Sequence, residues 1–363
     1  MVKAVIVLQT FDKTGGTERA SKELGRILNN LGYKVKFISF YKSKSVVDRN
    51  DCSVEYLIDT YISVYSKRII NKVLDLLLRK KLKDKLLEES PDFVFFTNLS
   101  HVVFNDSVYK TILMVHFSFI YFNSGLLTSY LFKKWYKKID RVVFLTAGDS
   151  LKYEEFFGSP NNSRYVANSV NFIRQNNEIK KKNKIVFLGR LDENQKQITH
   201  LVKIISLIKN KTKEKWELDI YGEGDDRNKI ERDIIELKCS DVITLRGNTN
   251  DVISALADSK IMVLTSKFEG LPVCLIEGAF SGLALISYAC APGINDIIID
   301  GVNGYVIEQD NIEVFSDKLL SLTNSPEVLS NFQKASISIA ELKFSPQSVE
   351  KHWVKVMSDM GVR

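Results

Sequence analysis

Residues 266–280 read SKFEGLPVCLIEGAF and place two glutamates, Glu269 and Glu277, eight positions apart. The residues that lead into this stretch, KIMVLTS (260–266), form an apolar run that is typical of a buried parallel strand. Pro272 is suited to the first turn of a helix, because its missing N–H would have no partner there. The sequence therefore predicts a strand, a tight loop that carries Glu269 and Gly270, and a helix that begins near Pro272.

The start of this predicted helix is a candidate anion site. The backbone N–H groups of Val273, Cys274 and Leu275 fall in the first turn, where helical N–H groups have no partner and the helix dipole favours negative charge. A diphosphate would fit such a site. Glu277 follows one turn later and can accept hydrogen bonds from a ribose diol.

Length and composition indicate a globular protein of two ordinary domains. The chain has 363 residues, of which 45% are hydrophobic and 26% charged. Its four cysteines are scattered without a C-x-x-C pair, which suggests a reducing compartment and no structural zinc. We find no signal peptide and no run of about 18 apolar residues that would span a bilayer. The net charge of +7 permits an acidic partner without choosing among nucleotide, phospholipid and nucleic acid.

The order of apolar runs predicts an α/β protein. A strand at 4–8, a glycine loop, a helix from about 18 to 31 and the strand KVKFISF (34–40) make a βαβ unit, the building block of a doubly wound sheet. Residues 168–184 are rich in Asn and Lys and are interpreted as a linker. Further short apolar runs at 93–97, 112–115 and 141–146 are interpreted as strands of the first half. A second strand–helix series follows, with strands predicted at 184–190, 216–224, 242–248, 260–266 and 283–289. We therefore expect domains over 1–170 and 171–344, followed by an amphipathic helix in 345–363.

The FEGLP sequence with Glu277 resembles the E-x7-E signature of family-4 retaining glycosyltransferases, which have the GT-B fold. The resemblance implies two Rossmann-like doubly wound domains that face each other across a cleft, with the last helix packed back on the first domain. It also implies that Glu269 lies beside the donor sugar and that Glu277 holds the nucleotide ribose. As lone glutamates, both residues would instead be expected to lie exposed on the surface.

GRLDENQKQ (189–197) resembles the G-R-L…K element of the same family. The resemblance implies that Arg190 and Lys196 meet the donor diphosphate opposite the helix amides, where fixed cations would stabilise the leaving group. No metal is then needed for that task, and the chain has four histidines and no Asp-x-Asp motif. Without the resemblance, Arg190 would be interpreted as a strand-end residue and Lys196 as a solvated one.

Three further loops match the family's order. IYGEGDDR (220–227) matches its G-x-G loop, which implies that Gly222 and Gly224 lie near the nucleotide. LRGNTNDV (245–252) matches the next strand end, where the backbone of Arg246, Gly247 and Asn248 would read the base; uridine is the family's usual base. In 287–307 the family's Gly-Gly and Glu are replaced by Pro292, Gly293 and Asp296, so the sugar is not fixed by the resemblance.

Two candidates lie in the first half. KTGGTER (13–19) resembles the family's glycine-rich first loop, in which Gly15 and Gly16 let the backbone approach the donor closely. It lacks the G-x-G-x-x-G pattern and a following acidic strand end, which disfavours NAD binding. His116 ends the apolar run ILMVH and should lie at the carboxyl end of a parallel strand. It is a candidate catalytic residue near the sugars, or equally a core histidine.

Two basic stretches, 66–89 and 130–141, alternate Lys and Arg with apolar or aromatic residues. Such patterns fit an anionic membrane surface, or equally a core-packed helix with a solvated basic face. No recognised nucleic-acid motif accompanies them.

These observations together predict a metal-independent hexosyl- or N-acetylhexosaminyltransferase that needs no cofactor beyond its nucleotide-sugar co-substrate, which we expect to be UDP-linked. The expected acceptor is a glycan or lipid-linked glycan in capsule, O-antigen or related bacterial polysaccharide synthesis. The expected location is the cytoplasm, at the inner face of the membrane. The alternatives are a GT-B sugar-nucleotide epimerase and a basic, non-catalytic binding protein.

Overall fold

A computed structural model describes residues 1–12, 16–42, 53–61, 68–104, 108–119, 126–158, 160–170 and 180–361, with the backbone alone for 59–61, 68–76 and 126–127. The chain divides into two compact units. The N-terminal unit comprises Met1–Ser169 together with Val349–Arg363, and the C-terminal unit comprises Val170–Ser348.

The N-terminal unit is built on a parallel sheet of seven strands in the order β3-β2-β1-β4-β5-β6-β7. The strands are β1 (Lys3–Thr10), β2 (Lys34–Lys42), β3 (Val54–Tyr61), β4 (Phe93–Phe96), β5 (Lys110–Val115), β6 (Arg141–Phe144) and β7 (Ser163–Tyr165). The chain winds outward from β1 in one direction and then from β4 in the other, which is the doubly wound arrangement.

Both faces of this sheet are covered, which explains why the inner strands β4, β5 and β6 are mostly apolar. The helices of the unit are α1 (Gly16–Asn30), α2 (Arg68–Glu89), α3 (Leu126–Trp135), α4 (Ala147–Phe157) and α13 (Pro346–Ser358). On one face, residues of α1 and α13 pack with Ile6 of β1, and Trp353 of α13 lies against Phe95. On the other face, α2, α3 and α4 pack over Val5 and Val7.

The C-terminal unit repeats the design with six parallel strands in the order β10-β9-β8-β11-β12-β13. The strands are β8 (Lys184–Leu188), β9 (Glu217–Tyr221), β10 (Ile243–Gly247), β11 (Ile261–Leu264), β12 (Ala284–Tyr288) and β13 (Gly304–Ile307). Its helices are α5 (Glu193–Lys196), α6 (Ile198–Ile208), α7 (Arg227–Glu236), α8 (Val252–Ala257), α9 (Val273–Phe280), α10 (Ile294–Ile297), α11 (Ile312–Thr323) and α12 (Pro326–Phe344). The strand order reverses between β8 and β11, so the loops after these two strands diverge at one point of the sheet edge.

Ten of the described strands and the final helix correspond to segments that the sequence pattern predicts. The three strands that it does not predict, β3, β7 and β13, each lie at the edge of a sheet. Edge strands are covered less completely, so their sequences carry more polar residues and a weaker apolar signal. None of the helices in the described ranges combines the length and the apolar composition that crossing a bilayer requires.

Candidate active site

The loops after β8 and β11 bring Lys196 and Glu269 together at the point where the strand order reverses. The Lys196 ammonium Nζ lies 2.5 Å from Glu269 Oε1, and the Ser266 hydroxyl donates to the same oxygen at 2.8 Å. The side chains of Lys196 and Glu269 are only 12% and 11% exposed. A carboxylate and an ammonium are thus held together in a nearly dry position, where electrostatic interactions are stronger than in water.

Backbone contacts fix the two loops to each other. The Lys267 N–H donates to the Gln195 carbonyl at 2.7 Å, and the Gln195 side-chain amide donates to the Phe268 carbonyl at 3.3 Å. The Thr265 hydroxyl donates to the carbonyl of Lys196 at 2.9 Å. The ion pair therefore rests on a preorganised backbone and not on two free surface side chains.

The electrostatic balance of this site favours a charged Lys196 and neutral thiols. Burial by itself would lower the pKa of Lys196, but the adjacent Glu269 carboxylate outweighs burial and raises that pKa above its ordinary value. Burial raises the pKa of Cys274 and of Cys290 to about 12. Both thiols are thus protonated at neutral pH and poorly suited to act as nucleophiles.

Arg190 and the start of α9 complete the charged surroundings. Arg190 is exposed, and within the described ranges its guanidinium has no ion-pair partner. Pro272 is the N-cap of α9, one position before the first turn, and its carbonyl accepts the N–H of Leu275 at 3.1 Å. Of the three amides singled out from the sequence, those of Val273 and Cys274 therefore face no acceptor within the helix, whereas that of Leu275 has one.

Glu277 is buried in α9, with 4% of its surface exposed. A carboxylate is rarely buried unless it is paired or serves a ligand, so this position disfavours the interpretation of Glu277 as a solvated helix residue. Gly270 is also buried, directly after Glu269.

Gly222 and Gly224 are required by close packing between the loops after β8 and β9. The Gly189 N–H donates to the Tyr221 carbonyl, and the Leu191 N–H donates to the Glu223 carbonyl, both at 3.0 Å. A Cβ atom at Gly222 would lie 1.9 Å from the Gly189 carbonyl oxygen, and one at Gly224 would lie 2.2 Å from the Leu191 carbonyl oxygen. The loop that carries Arg190 is thereby held against the G-x-G loop.

The strand end at 246–248, whose backbone is a candidate for reading the base, has two of its groups engaged within the unit. The Arg246 guanidinium donates to the buried Asp219 carboxylate at 2.9 Å, so its side chain is engaged within the unit. The Gly247 carbonyl likewise accepts the Gly222 N–H at 2.8 Å. Asn248 is exposed, and neither of these two bonds involves it, so it stays accessible to a ligand.

The sequence interpretation overlooked a polar cluster beside Lys196. Gln197 adopts a left-handed conformation (φ 47°), its side-chain amide donates to Asp310 at 2.9 Å, and its side-chain oxygen accepts from Gln309 at 2.9 Å. The sequence interpretation also overlooked Ser266 and Thr265. Small or amide side chains at strand ends are common, so only the contacts reveal that Thr265 bonds to the Lys196 backbone and Ser266 to the Glu269 carboxylate.

The candidates of the first half lie in the N-terminal unit. Gly15 lies outside the described residues, and Gly16 is the first residue of α1. Glu18 accepts a hydrogen bond from the Thr10 hydroxyl at 3.1 Å, which ties α1 to the end of β1. His101 is fully buried and stacks on Phe40 with 3.8 Å between ring centroids, so it is a core residue.

His116 follows β5 directly, and its buried Nε2 has no hydrogen-bond partner among the residues that the structure describes. Burial lowers the pKa of His116 to about 4. A neutral imidazole with an unused buried nitrogen suits a ligand-binding role better than a satisfied core role.

We expect His116 to make the protein less stable as the pH falls. Its unfolded pKa is near 6.5 and its folded pKa is about 4, so the unfolded state binds the extra proton and stability is lost as the pH drops below about 6.5. The difference corresponds to about 3 kcal/mol between pH 7 and pH 4. Urea unfolding at both pH values should show a smaller loss for His116→Gln than for the wild type. An equal loss in both proteins would contradict the buried neutral state.

No group of three or more His, Cys, Asp or Glu side chains suited to a metal ion occurs within the described ranges.

The chain is similar to known glycosyltransferases in sequence and in fold. Residues 169–338 match the family model "Glycosyl transferases group 1". An "Uncharacterized glycosyltransferase" of Haemophilus influenzae is 27% identical over 98% of this chain and 100% of its own length. A Campylobacter jejuni α-1,4-N-acetyl-D-galactosaminyltransferase, whose named acceptor is a glycan on PP-undecaprenol, is 24% identical over 99% of both proteins.

A solved structure agrees with the fold. The pneumococcal O-GlcNAc transferase GtfA, in complex with UDP and GlcNAc, has a TM-score of 0.79 and 15% identity over 100% of this chain and 99% of that one. The GT-B fold predicted from the E-x7-E resemblance is confirmed. Residues 169–338 thus match the group 1 glycosyl transferase model, and the chain has the GT-B fold and is similar over its length to bacterial glycosyltransferases.

Proposed function

We propose that this protein transfers a hexose or N-acetylhexosamine from a UDP-sugar to a glycan or lipid-linked glycan, with retention of configuration and without a metal. The observation that carries the proposal is the nearly dry Lys196–Glu269 pair at the strand-order reversal, beside the exposed Arg190 and the start of α9. Open α/β sheets bind their ligands at this point, and these groups match a sugar diphosphate chemically.

Each group of the site is assigned to one part of the donor. Arg190, Lys196 and the amides of Val273 and Cys274 bind the diphosphate and stabilise the negative charge that develops on it. Glu277 accepts hydrogen bonds from the ribose, and Glu269 orients the sugar hydroxyls while it holds Lys196 in place. The backbone of 246–248 and the glycine pair at Gly222 and Gly224 border the nucleotide.

The sequence offers no evident nucleophile for a covalent intermediate, so we infer a direct transfer on the leaving-group side of the sugar. The acceptor hydroxyl attacks the anomeric carbon on the side of the leaving group, the bond from that carbon to the diphosphate oxygen breaks, and the hydroxyl proton passes to the departing phosphate. Configuration is thereby retained without a covalent enzyme intermediate. The N-terminal domain binds the acceptor, and His116 hydrogen-bonds to a sugar through its unused Nε2, as the resemblance implies.

The setting is proposed from the relatives. The Campylobacter relative is named for an acceptor carried on PP-undecaprenol, and the pneumococcal structure holds UDP and GlcNAc. We infer a comparable role in bacterial surface polysaccharide synthesis, such as capsule or O-antigen assembly, at the cytoplasmic face of the membrane.

A panel of nucleotide sugars tests the donor site in the absence of acceptor. We expect the pure protein to release nucleoside diphosphate slowly from one UDP-sugar. Arg190→Ala and Glu277→Gln should each lower that rate by about 10²-fold, the effect of removing one transition-state or positioning contact. Lys229→Ala, which removes an exposed cation of α7, is the matched control and should retain the rate.

Other outcomes would contradict the proposal. If the Arg190→Ala and Glu277→Gln variants released diphosphate as fast as the wild type, the proposed donor site would be wrong. Release of an isomerised sugar nucleotide instead of diphosphate would indicate an epimerase, and no binding of any nucleotide sugar would remove the transferase proposal.

A further inference from the structure

Two exposed aromatic side chains stand among lysines on helices α3 and α4. Tyr130 is 59% exposed and Phe156 is 49% exposed. The Lys133 ammonium lies 5.8 Å from the centroid of the Phe156 ring, and that of Lys134 lies 6.0 Å from the Tyr130 ring. Lys137 follows one turn beyond Lys133. We call Tyr130, Lys133, Lys134, Lys137 and Phe156 the α3–α4 face.

The Phe156 ring of this face is held in place from below. Phe156 contacts Phe119 and Phe157 at ring-centroid distances of 5.8 Å and 4.9 Å. Phe119 in turn packs on the buried Phe132 and Tyr153. Phe156 therefore extends a packed core cluster to the surface, and covering it with a partner would cost little ordering entropy.

The lysines of the face contact aromatic rings, and the Lys137 ammonium lies 5.7 Å from the centroid of the Tyr136 ring. In the part of the chain that the structure describes, no carboxylate lies within ion-pair distance of Lys133, Lys134 or Lys137. The basic stretch of α2 differs in this respect. There Lys85 pairs with Glu55 at 2.8 Å, and the guanidinium of Arg79 donates to the Val102 carbonyl at 2.6 Å.

The two basic stretches of the sequence are thus not equivalent. Arg79 and Lys85 of α2 hold that helix to its own domain, although Lys80 and Lys83 of α2 are exposed. The three lysines of the α3–α4 face, in contrast, stand beside exposed aromatic rings and remain available to an external anion. Rings with an apolar body among snorkelling lysines are the composition that favours the boundary between lipid headgroups and acyl chains.

We propose that the α3–α4 face docks this protein on an anionic membrane surface. Tyr130 and Phe156 enter the headgroup region, and the three lysines bind acidic lipid headgroups, each strengthening binding about fivefold. The proposal rests on the proposed transfer to a lipid-linked acceptor, which would be presented at such a surface. It makes no use of the donor site.

Flotation of the full chain with vesicles tests the proposal. We expect binding to phosphatidylcholine vesicles that contain phosphatidylglycerol and none to phosphatidylcholine alone. Lys133→Glu with Lys134→Glu should weaken binding at least about 25-fold, because each lysine contributes about fivefold. The matched control, Lys80→Glu with Lys83→Glu, makes the same charge change on exposed α2 residues and should alter binding by no more than about twofold if α2 is not the docking surface.

A third variant separates docking from charge attraction alone. Tyr130→Ser keeps the net charge and should also weaken binding, because it removes a ring from the interface. Equal losses in the two lysine pairs, an unchanged Tyr130→Ser variant or equal binding to both kinds of vesicle would overturn the proposal. Acceptor-free diphosphate release should be unchanged in all variants. If the wild type released no diphosphate from any nucleotide sugar, that result would instead contradict the proposed transferase, whatever the vesicles show.

Discussion

Lys196→Met is expected to destabilise the C-terminal domain and to abolish turnover of the donor. The substitution leaves the Glu269 carboxylate nearly buried beside an apolar chain, which costs about 3 kcal/mol of unfolding free energy. It also removes a fixed cation from the proposed diphosphate site, which should lower the rate of diphosphate release by about 10²–10³-fold. Urea unfolding and the acceptor-free release assay measure the two effects separately.

A double variant distinguishes folding from chemistry. Adding Glu269→Gln to Lys196→Met removes the unpaired charge, so most of the lost stability should return, whereas the missing cation keeps the rate low. Lys203→Met, at an exposed position of α6, is the matched control and should change neither quantity. If turnover returned together with stability in the double variant, Lys196 would be a structural residue only.

Gly222→Ala is expected to produce the largest loss of stability among single-methyl changes in this domain. The backbone at Gly222 has φ 142°, which residues with a Cβ rarely adopt, and the new Cβ would lie 1.9 Å from the Gly189 carbonyl oxygen. The opposing atom belongs to the backbone, so it cannot rotate away. We expect a loss of at least about 3 kcal/mol, seen as a fall of roughly 10 °C in the melting temperature.

Gly158→Ala separates the steric contact from the backbone conformation. Gly158 also has a positive φ (69°), but a Cβ there would meet nothing within 4 Å. Its replacement should cost only about 1–2 kcal/mol, the penalty of the left-handed conformation itself. Similar losses at both positions would show that contact between the loops after β8 and β9 is unimportant.

The sequence predicts the central strands well because the interior of a parallel sheet leaves a strong signal. Runs such as Phe93–Phe96 and Ile261–Leu264 are buried on both faces and are therefore apolar at every position. The edge strands β3, β7 and β13 carry no comparable run. Their pairing depends on an adjacent strand that is already in place, which is information that a local pattern lacks.

For the site, the sequence predicts the candidate residues but not the contacts between them. The spacing from Glu269 to Glu277 and the order of Arg190 and Lys196 identify the candidate residues, since these stand in motifs at strand ends. The sequence does not reveal that Lys196 and Glu269 form a direct ion pair, because 73 positions separate them in the chain. Nor does it distinguish the engaged guanidinium of Arg246 from the open one of Arg190, since both are arginines near the carboxyl end of a strand.

The sequence by itself determined the α/β class, the two-domain order and the positions of the candidate residues, because periodicity and motif spacing are local properties of the chain. The tertiary structure alone decided which of these residues meet and which cations are already paired. The reversal of strand order between β8 and β11 places distant loops side by side, so that Glu269 keeps Lys196 charged. Burial sets the neutral state of His116 and the protonation of the two thiols. Contact and burial depend on the whole fold, so no local pattern of residues specifies them.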